Sequence, residues 1–229
     1  MLDEAIDFAE ERAPDVPVSG TIRIGHDVSQ AILNTAEQHD VDVILMGWRG
    51  RSRRRDFALG SNVDQVVTRA PCDVLVERIG EGEGEGDVDS ILVPTAGGPH
   101  AELAAEIAGA IGRANDAAVE VLYVVSSGAD EAERERAEEL LSDAVDALDG
   151  VESSTRVEEG DVVASIVDAS ADHDLTVIGA TREGLFQQLV LGAIPEAVGR
   201  RAEGTVIMAK RAMGIRSRLS RWFRRGGSR

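Results

Sequence analysis

The sequence predicts an α/β fold, a tandem pair of doubly wound, Rossmann-like parallel-sheet domains with the first one incomplete, and three observations carry that reading. Short apolar runs bounded by Gly or acids alternate with Ala-rich amphipathic stretches, the pattern of parallel strands joined by helices. The pattern also repeats: Asp42-Val43-Ile44-Leu45-Met46-Gly47 matches Asp174-Leu175-Thr176-Val177-Ile178-Gly179 at an offset of 132. The same offset pairs Leu59-Gly60 with Leu191-Gly192, Arg69 with Arg201, and Val74-Leu75-Val76 with Val206-Ile207-Met208. Finally, apolar residues make up 43% of the 229 but aromatics only 3%, so the core must be built from Ala, Val, Leu and Ile, which suits helices packed on a parallel sheet.

Taken in order, the first copy predicts a helix near 2–12, a strand near Val18 to Ile24, a helix near 28–39 and a strand near Val43 to Met46. A helix then opens at Asn62, and a strand runs near Asp73 to Glu77. The second copy reads as five strands, near Ile91 to Pro94, Val119 to Val125, Ser153 to Val157, Leu175 to Gly179 and Thr205 to Ala209. Its helices lie near 99–114, 130–148, 161–172 and 192–202, which makes a complete doubly wound unit. Upstream the offset becomes 134, pairing Ile32 with Ile166 and His39-Asp40 with His173-Asp174. The two histidines fall at matching helix ends, where a cation meets the helix dipole, and read as caps.

The first copy has no counterpart of the first two strands. In the common doubly wound order the first strand is central, so without it Val43 to Met46 would present unpaired backbone along an edge, at a kcal/mol or more for each unsatisfied group (roughly). Three arrangements would answer this: a protein that begins upstream of Met1, irregular pairing of the remaining strands, or an edge supplied by another chain.

Gly80-Glu81-Gly82-Glu83-Gly84-Glu85-Gly86-Asp87 combines self-repelling charge with backbone freedom and reads as a linker. It divides the chain into an incomplete domain at 1–79, the linker at 80–87, a complete domain at 88–211 and a basic tail at 212–229. Forty-two acids stand against 24 cations, a net charge of −18, and the sole lysine is Lys210. This excludes an ordinary nucleic-acid binder and resembles the cytoplasmic proteins of salt-loving microbes. From Lys210 onward there are eight cations and no acid, so 16 cations face all 42 acids in the remainder. In the tail, Ile215, Leu219, Trp222 and Phe223 fall on one helical face and arginines on the others. Such a segment suits either an anionic membrane surface or the acidic body of the chain itself. Cys72, the one cysteine, excludes an intramolecular disulfide and reads as a small buried hydrophobe. Met1-Leu2-Asp3-Glu4 lacks the basic and apolar regions of a signal peptide, and no window approaches the roughly 20 apolar residues of a membrane span, so the expected location is cytoplasmic, with the tail able to meet the inner membrane face.

The most informative local feature follows the strand that ends at Met46. Gly47-Trp48-Arg49-Gly50 is followed after nine residues by Gly60-Ser61 and the helix that opens at Asn62. A glycine after a strand permits a turn other residues cannot make, and a second lets the backbone approach an anion. Gly60-Ser61 puts backbone N–H groups and a hydroxyl at a helix N-terminus, where phosphate is favoured. Arg49, Arg51, Arg53, Arg54 and Arg55 lie between, and guanidinium groups match phosphate oxygens. The plainer alternatives are that the glycines only terminate a strand and a helix, and that the arginines form a solvated loop balancing nearby acids.

Gly47-x2-Gly50-x9-Gly60-Ser61, with Ala70-Pro71-Cys72-Asp73-Val74-Leu75-Val76 after it, resembles the universal stress protein family and its nucleotide-binding members. The resemblance covers nearly the whole chain as a tandem pair. It implies an adenine-nucleotide alpha hydrolase-like fold, ATP along the glycine loop, and a homo-oligomer or a pseudo-dimer of the two copies paired through their final strands. Gly47, Gly50, Gly60 and Ser61 would then contact phosphates or ribose, and Asn62 opens the helix beside them; Arg49 and Arg51 are added from charge and position. The second copy departs from this pattern. Its loop reads Gly179-Ala180-Thr181-Arg182-Glu183-Gly184 and later Gly192-Ala193, with the second glycine displaced and the hydroxyl lost, and Thr95 stands where nucleotide-binding members commonly carry an aspartate.

No Ser/His/Asp or Cys/His signature stands out, and histidines at 26, 39, 100 and 173 offer no ligand spacing. The expectation is a binding module and not an enzyme: an ATP-binding regulatory module of the stress response, or alternatively a non-binding regulatory or scaffold domain associated with a membrane amino-acid transporter through its basic tail.

Overall fold

Aspartate opens three of the helices, as expected of a side chain that accepts from an orphaned N–H of the first turn, an interaction worth about 1 kcal/mol. Asp27, Asp130 and Asp161 each accept from the backbone N–H three residues on. The computed structural model describes residues 2–48, 61–80, 87–181 and 191–213. Its elements are α1 (Leu2–Arg12), α2 (Val28–Gln38), β1 (Val43–Gly47), α3 (Ser61–Arg69), β2 (Asp73–Arg78), β3 (Ser90–Pro94), α4 (Pro99–Asn115), β4 (Ala118–Val125), α5 (Glu131–Ala147), β5 (Ser153–Glu159), α6 (Val162–Ser170), β6 (Leu175–Gly179), α7 (Ala193–Arg201) and β7 (Thr205–Lys210). The fold is α/β, and the described strands form one seven-stranded sheet in the order β1-β2-β7-β6-β3-β4-β5.

Strands β3 to β7 make a doubly wound parallel unit with β3 in its middle. Among the described strands the only antiparallel neighbours are β2 and β7, the final strands of the two copies, so both copies share one sheet. Val76 faces Met208 in that ladder, and these two are also repeat counterparts at the offset of 132, so an approximate two-fold passes through the pair. The symmetry extends to side chains. Arg78 of β2 donates to Ala202 O, the C-cap of α7, 2.6 Å away, and to Gly204 O in the turn that follows. Its counterpart Lys210 of β7 donates from Nζ to Val67 O near the end of α3. Each final strand thus sends a cation to the carbonyl end of the other copy's last helix, where the helix dipole favours positive charge. Burial pushes the Lys210 ammonium below its ordinary value.

Two apolar layers cover the sheet. One joins Leu33, Ile44, Val66, Val74 and Val76 of the first copy to Ile166, Ile178, Val198 and Met208 of the second, under α2, α3, α6 and α7. Cys72 lies in this layer, with its thiol pushed up by burial. The other layer, under α4 and α5, comes almost wholly from the second copy; Leu75 is its one buried member from the first. Asp174, just before β6, accepts from Asp89 N, Ser90 N and Ser90 Oγ at 2.8–3.0 Å and fixes the entry to β3; the Ser90 hydroxyl holds its carboxyl below the usual range. His173 Nδ1 lies 2.9 Å from Ala169 O, and His39 is the C-cap of α2, so both stand at helix ends.

One predicted element is not formed. Val18 to Ile24 is irregular backbone, although its counterpart β5 is a regular strand. The reason is pairing: β5 is zipped along β4, and the first copy has no strand equivalent to β4 among the described residues. A strand exists only through its neighbour's hydrogen bonds, so the right alternation of side chains was not sufficient. Strand β1 pairs with β2 alone and forms one edge of the sheet. The final helix of the first copy starts at Ser61, one residue earlier than expected.

Candidate functional site

Along the chain, β1 ends and α3 begins on either side of the loop singled out in the sequence. Gly47, Ser61 and Asn62 lie within the described residues; Arg49, Gly50, Arg51 and Gly60 lie outside them, as does the tail beyond Met213. Gly47 is still part of β1, paired opposite Glu77, and Trp48 N continues the ladder by donating to Glu77 O at 2.6 Å. Its backbone is not in the left-handed region, so the expected glycine-only turn does not occur at this residue. A Cβ built on Gly47 would meet nothing within 4 Å.

Beyond it the chain dives inward. Trp48 is buried, with its ring against Gly199, where a Cβ would come within 2.8 Å of it. The Arg200 guanidinium lies 5.4 Å from the ring centroid, a cation–π distance. The second copy's α7 therefore packs against the residue that follows the first copy's β1. Helix α3 begins with Ser61 and Asn62 exposed and then buries Val63, Val66 and Val67. Ser61 and Asn62 thus stand at the surface at the positive end of the helix, with Asp64 half-buried in the same turn. Helix α2 steadies α3: Ser29 Oγ donates to Asp27 Oδ1 at 2.6 Å and lies 3.0 Å from Gln65 Oε1. The Ser29 hydroxyl, with the Gln30 N–H, holds the Asp27 carboxyl below its ordinary value.

The same place in the second copy is filled from within. Thr181 N donates to Leu191 O at 2.9 Å, and the Thr181 side chain occupies the space beside Gly192, whose φ of +101° only glycine adopts readily. Glu196, in the first turn of α7, is buried, and its Oε1 accepts from Leu191 N at 3.4 Å. A carboxylate of the chain thus already sits at this helix's positive end. Gly179, the counterpart of Gly47, is closed over as well, since a Cβ there would lie 2.6 Å from Ala101 N and from the His100 carbonyl carbon at the start of α4.

Sequence reasoning did not single out Trp48, Arg200 or Glu196. Trp48 occupied a variable slot of the glycine motif, and Arg200 belongs to the other copy, so only the tertiary pairing of β2 with β7 brings them together. Glu196 left a usable signal, because an acid in a helix's first turn at the offset of 132 from Asp64 marks a dipole partner.

Comparison with known proteins follows from this geometry. A model of the universal stress protein family matches residues 2–78 and 88–210. A universal stress protein from Archaeoglobus fulgidus superposes with a TM-score of 0.60 at 22% identity, covering 93% of this chain and 81% of that one. A protein of unknown function from Pseudomonas aeruginosa gives 0.60 at 19% identity, over 92% and 78%. At these identities the structural likeness speaks for the fold. Among curated proteins, a Na(+)/H(+) antiporter of Synechocystis is 34% identical over 80 residues, which is 34% of this chain and 11% of the antiporter. The chain therefore spans about a tenth of that relative's length.

Proposed function

Because the chain belongs to the universal stress protein family, we propose that it is a regulatory module that binds an adenine nucleotide at the glycine loop of its first copy, with the phosphates over the start of α3. One observation carries this reading: the two helix starts that the repeat makes equivalent differ in what already occupies them. At α7 the Glu196 carboxylate and Thr181 fill the position, whereas at α3 Ser61 and Asn62 stand exposed. A phosphate at α3 would meet the exposed Ser61 hydroxyl at the positive end of the helix, where Asp64, the counterpart of Glu196, is only half-buried. Gly50, Gly60, Arg49 and Arg51 are assigned to the same cradle from their sequence positions.

Titration of ATP-Mg into the full chain by calorimetry tests this, beside the double variant Gly60→Val, Ser61→Ala. The expected result is heat of binding that the variant loses while its circular dichroism is unchanged. A folded wild-type protein that gives no heat overturns the nucleotide reading.

The similarity to part of an antiporter favours a second reading, in which the module regulates a membrane transporter. Among the described residues no helix is long and apolar enough to cross a membrane, so in this reading the transporter itself supplies the membrane-spanning part. Co-purification of a transporter with the tagged chain, lost on deletion of residues 214–229, supports it; recovery of the chain free of membranes at low salt opposes it.

A further inference from the structure

The chain leaving β7 is tied down at once. Arg211 is 5% exposed; its backbone N–H donates to His100 Nδ1 at 3.1 Å, and its guanidinium pairs with Glu106 and, at 3.6 Å, with Glu102 of α4. Ala212 N then donates to Asp73 Oδ1 at 2.7 Å. These contacts fix where the chain goes next, and Met213 comes to lie, 39% exposed, on the lining of a groove of about 1300 Å³ along α4 and α5.

The groove is apolar in one strip and acidic elsewhere. Leu140, Ala144 and Ala147 of α5 with Met213 supply the apolar part, and Glu102, Glu106, Asp143, Asp146 and Asp149 supply carboxylates. Two cations line it, and each is already engaged: Arg211 by Glu102 and Glu106, and Arg113 by Asp149 at 3.7 Å. Asp143 and Asp146, both exposed on α5, form no ion pair among the described residues. Standing three apart on one helix, they repel each other, so the groove is short of positive charge.

The sequence that follows Met213 has the complementary pattern. Residues 214–229 contain six arginines and no acid. Ile215, Leu219 and Trp222 recur at the i, i+4, i+7 spacing by which an amphipathic helix anchors in a groove. We propose that residues 214–229 seat in this groove of their own chain, with Ile215, Leu219 and Trp222 on the apolar strip and arginines against Asp143, Asp146 and the neighbouring carboxylates. Length agrees: a helix over 215–225, ended by Gly226-Gly227, is about 16 Å long, as is the stretch of α4 from Glu102 to Arg113. Tethering agrees as well. Met213 already lies on the lining, so residue 214 starts at the site, and the high effective concentration favours this segment over a free cationic peptide or a second copy. Burial of the apolar face drives the seating and the carboxylates set its register. A segment seated in this way is withheld from other acidic surfaces, which have to displace it before they can bind it. The proposal rests neither on nucleotide binding nor on a transporter partner.

Trp222 reports on the seat. The difference in emission between the full chain and its Trp222→Phe variant isolates Trp222 from Trp48, and acrylamide quenching reads its exposure, with a peptide of residues 214–229 as the exposed reference. Trp222 is expected to be shielded in the full chain. The Asp143→Lys, Asp146→Lys variant should lose the shielding with circular dichroism unchanged, because both side chains are exposed. Arg221→Glu, Arg224→Glu, whose positions lie outside the described residues, should lose it too, and combining the two pairs should restore it. Quenching in the wild-type chain equal to that of the peptide overturns the proposal, as does shielding that both charge reversals leave unchanged. Shielding that appears only when phosphatidylglycerol vesicles are added assigns the segment to a lipid surface, and shielding lost on dilution assigns it to a second copy; either result overturns the seat within its own chain.

Discussion

Gly47 and Gly179 are the same residue of the repeat, and the structure gives them opposite surroundings, so substituting both by alanine is a matched experiment. At Gly179 the new methyl group would lie 2.6 Å from Ala101 N and from the His100 carbonyl carbon, and 2.7 Å from His100 O. All three are backbone atoms at the start of α4, so relief requires moving the helix and not a side-chain rotation. Overpacking of this kind costs about 1–3 kcal/mol. At about 2–4 °C per kcal/mol for a protein of this size, Gly179→Ala should lower the melting temperature by roughly 2–12 °C. At Gly47 nothing lies within 4 Å and the backbone is ordinary strand, so the methyl group is accommodated and restricts the unfolded chain. Gly47→Ala should therefore be neutral or stabilising by up to about 1 kcal/mol. Urea unfolding of the two variants beside the wild type measures both. Equal losses at the two positions would refute the claim that the face of β1 is uncovered, and an unchanged Gly179→Ala would refute the close contact with α4.

Lys210 carries a pH signature. Its folded-state pKa lies below the ordinary 10.5 because burial penalises the charge. The unfolded chain then binds more protons than the folded one between those two values, so stability should rise with pH across that window, and Lys210→Met should remove the rise in alkaline denaturation curves. Asp174 works in the opposite range: with its pKa lowered first by the Ser90 hydroxyl, its contribution is present above the ordinary 3.8 and is lost as pH falls through the folded value. Ser90→Ala should therefore make acid unfolding begin at a higher pH, as followed by circular dichroism. The net charge of −18 predicts a salt requirement, with unfolding from molar salt to dilute buffer as carboxylate repulsion loses its screening; circular dichroism unchanged over that range would refute it.

Much of the fold was legible because its signals are local. The strands that are buried on both faces, such as β6, are continuous apolar runs, and each helix opened by Asp27, Asp130 or Asp161 carries its start signal in one residue. The repeat at an offset of 132 was visible because the two copies preserve the same strand and helix pattern. Residues 18–24 show the limit of such reading: their alternation is that of a strand, yet the strand does not form without a neighbour.

By itself the sequence determined the element types and the tandem organisation, and it showed that the first copy lacks counterparts of the second copy's first two strands. Those follow from periodicity, composition and residue chemistry along the chain. Only the tertiary structure decided that the two copies share one sheet through β2 and β7, that Arg78 and Lys210 cross between them, and that Trp48 meets Arg200. It alone showed the bare face of β1. The physical reason is distance along the chain: these contacts join residues more than a hundred positions apart, or depend on whether a neighbouring element is present, and neither fact is written in a local pattern.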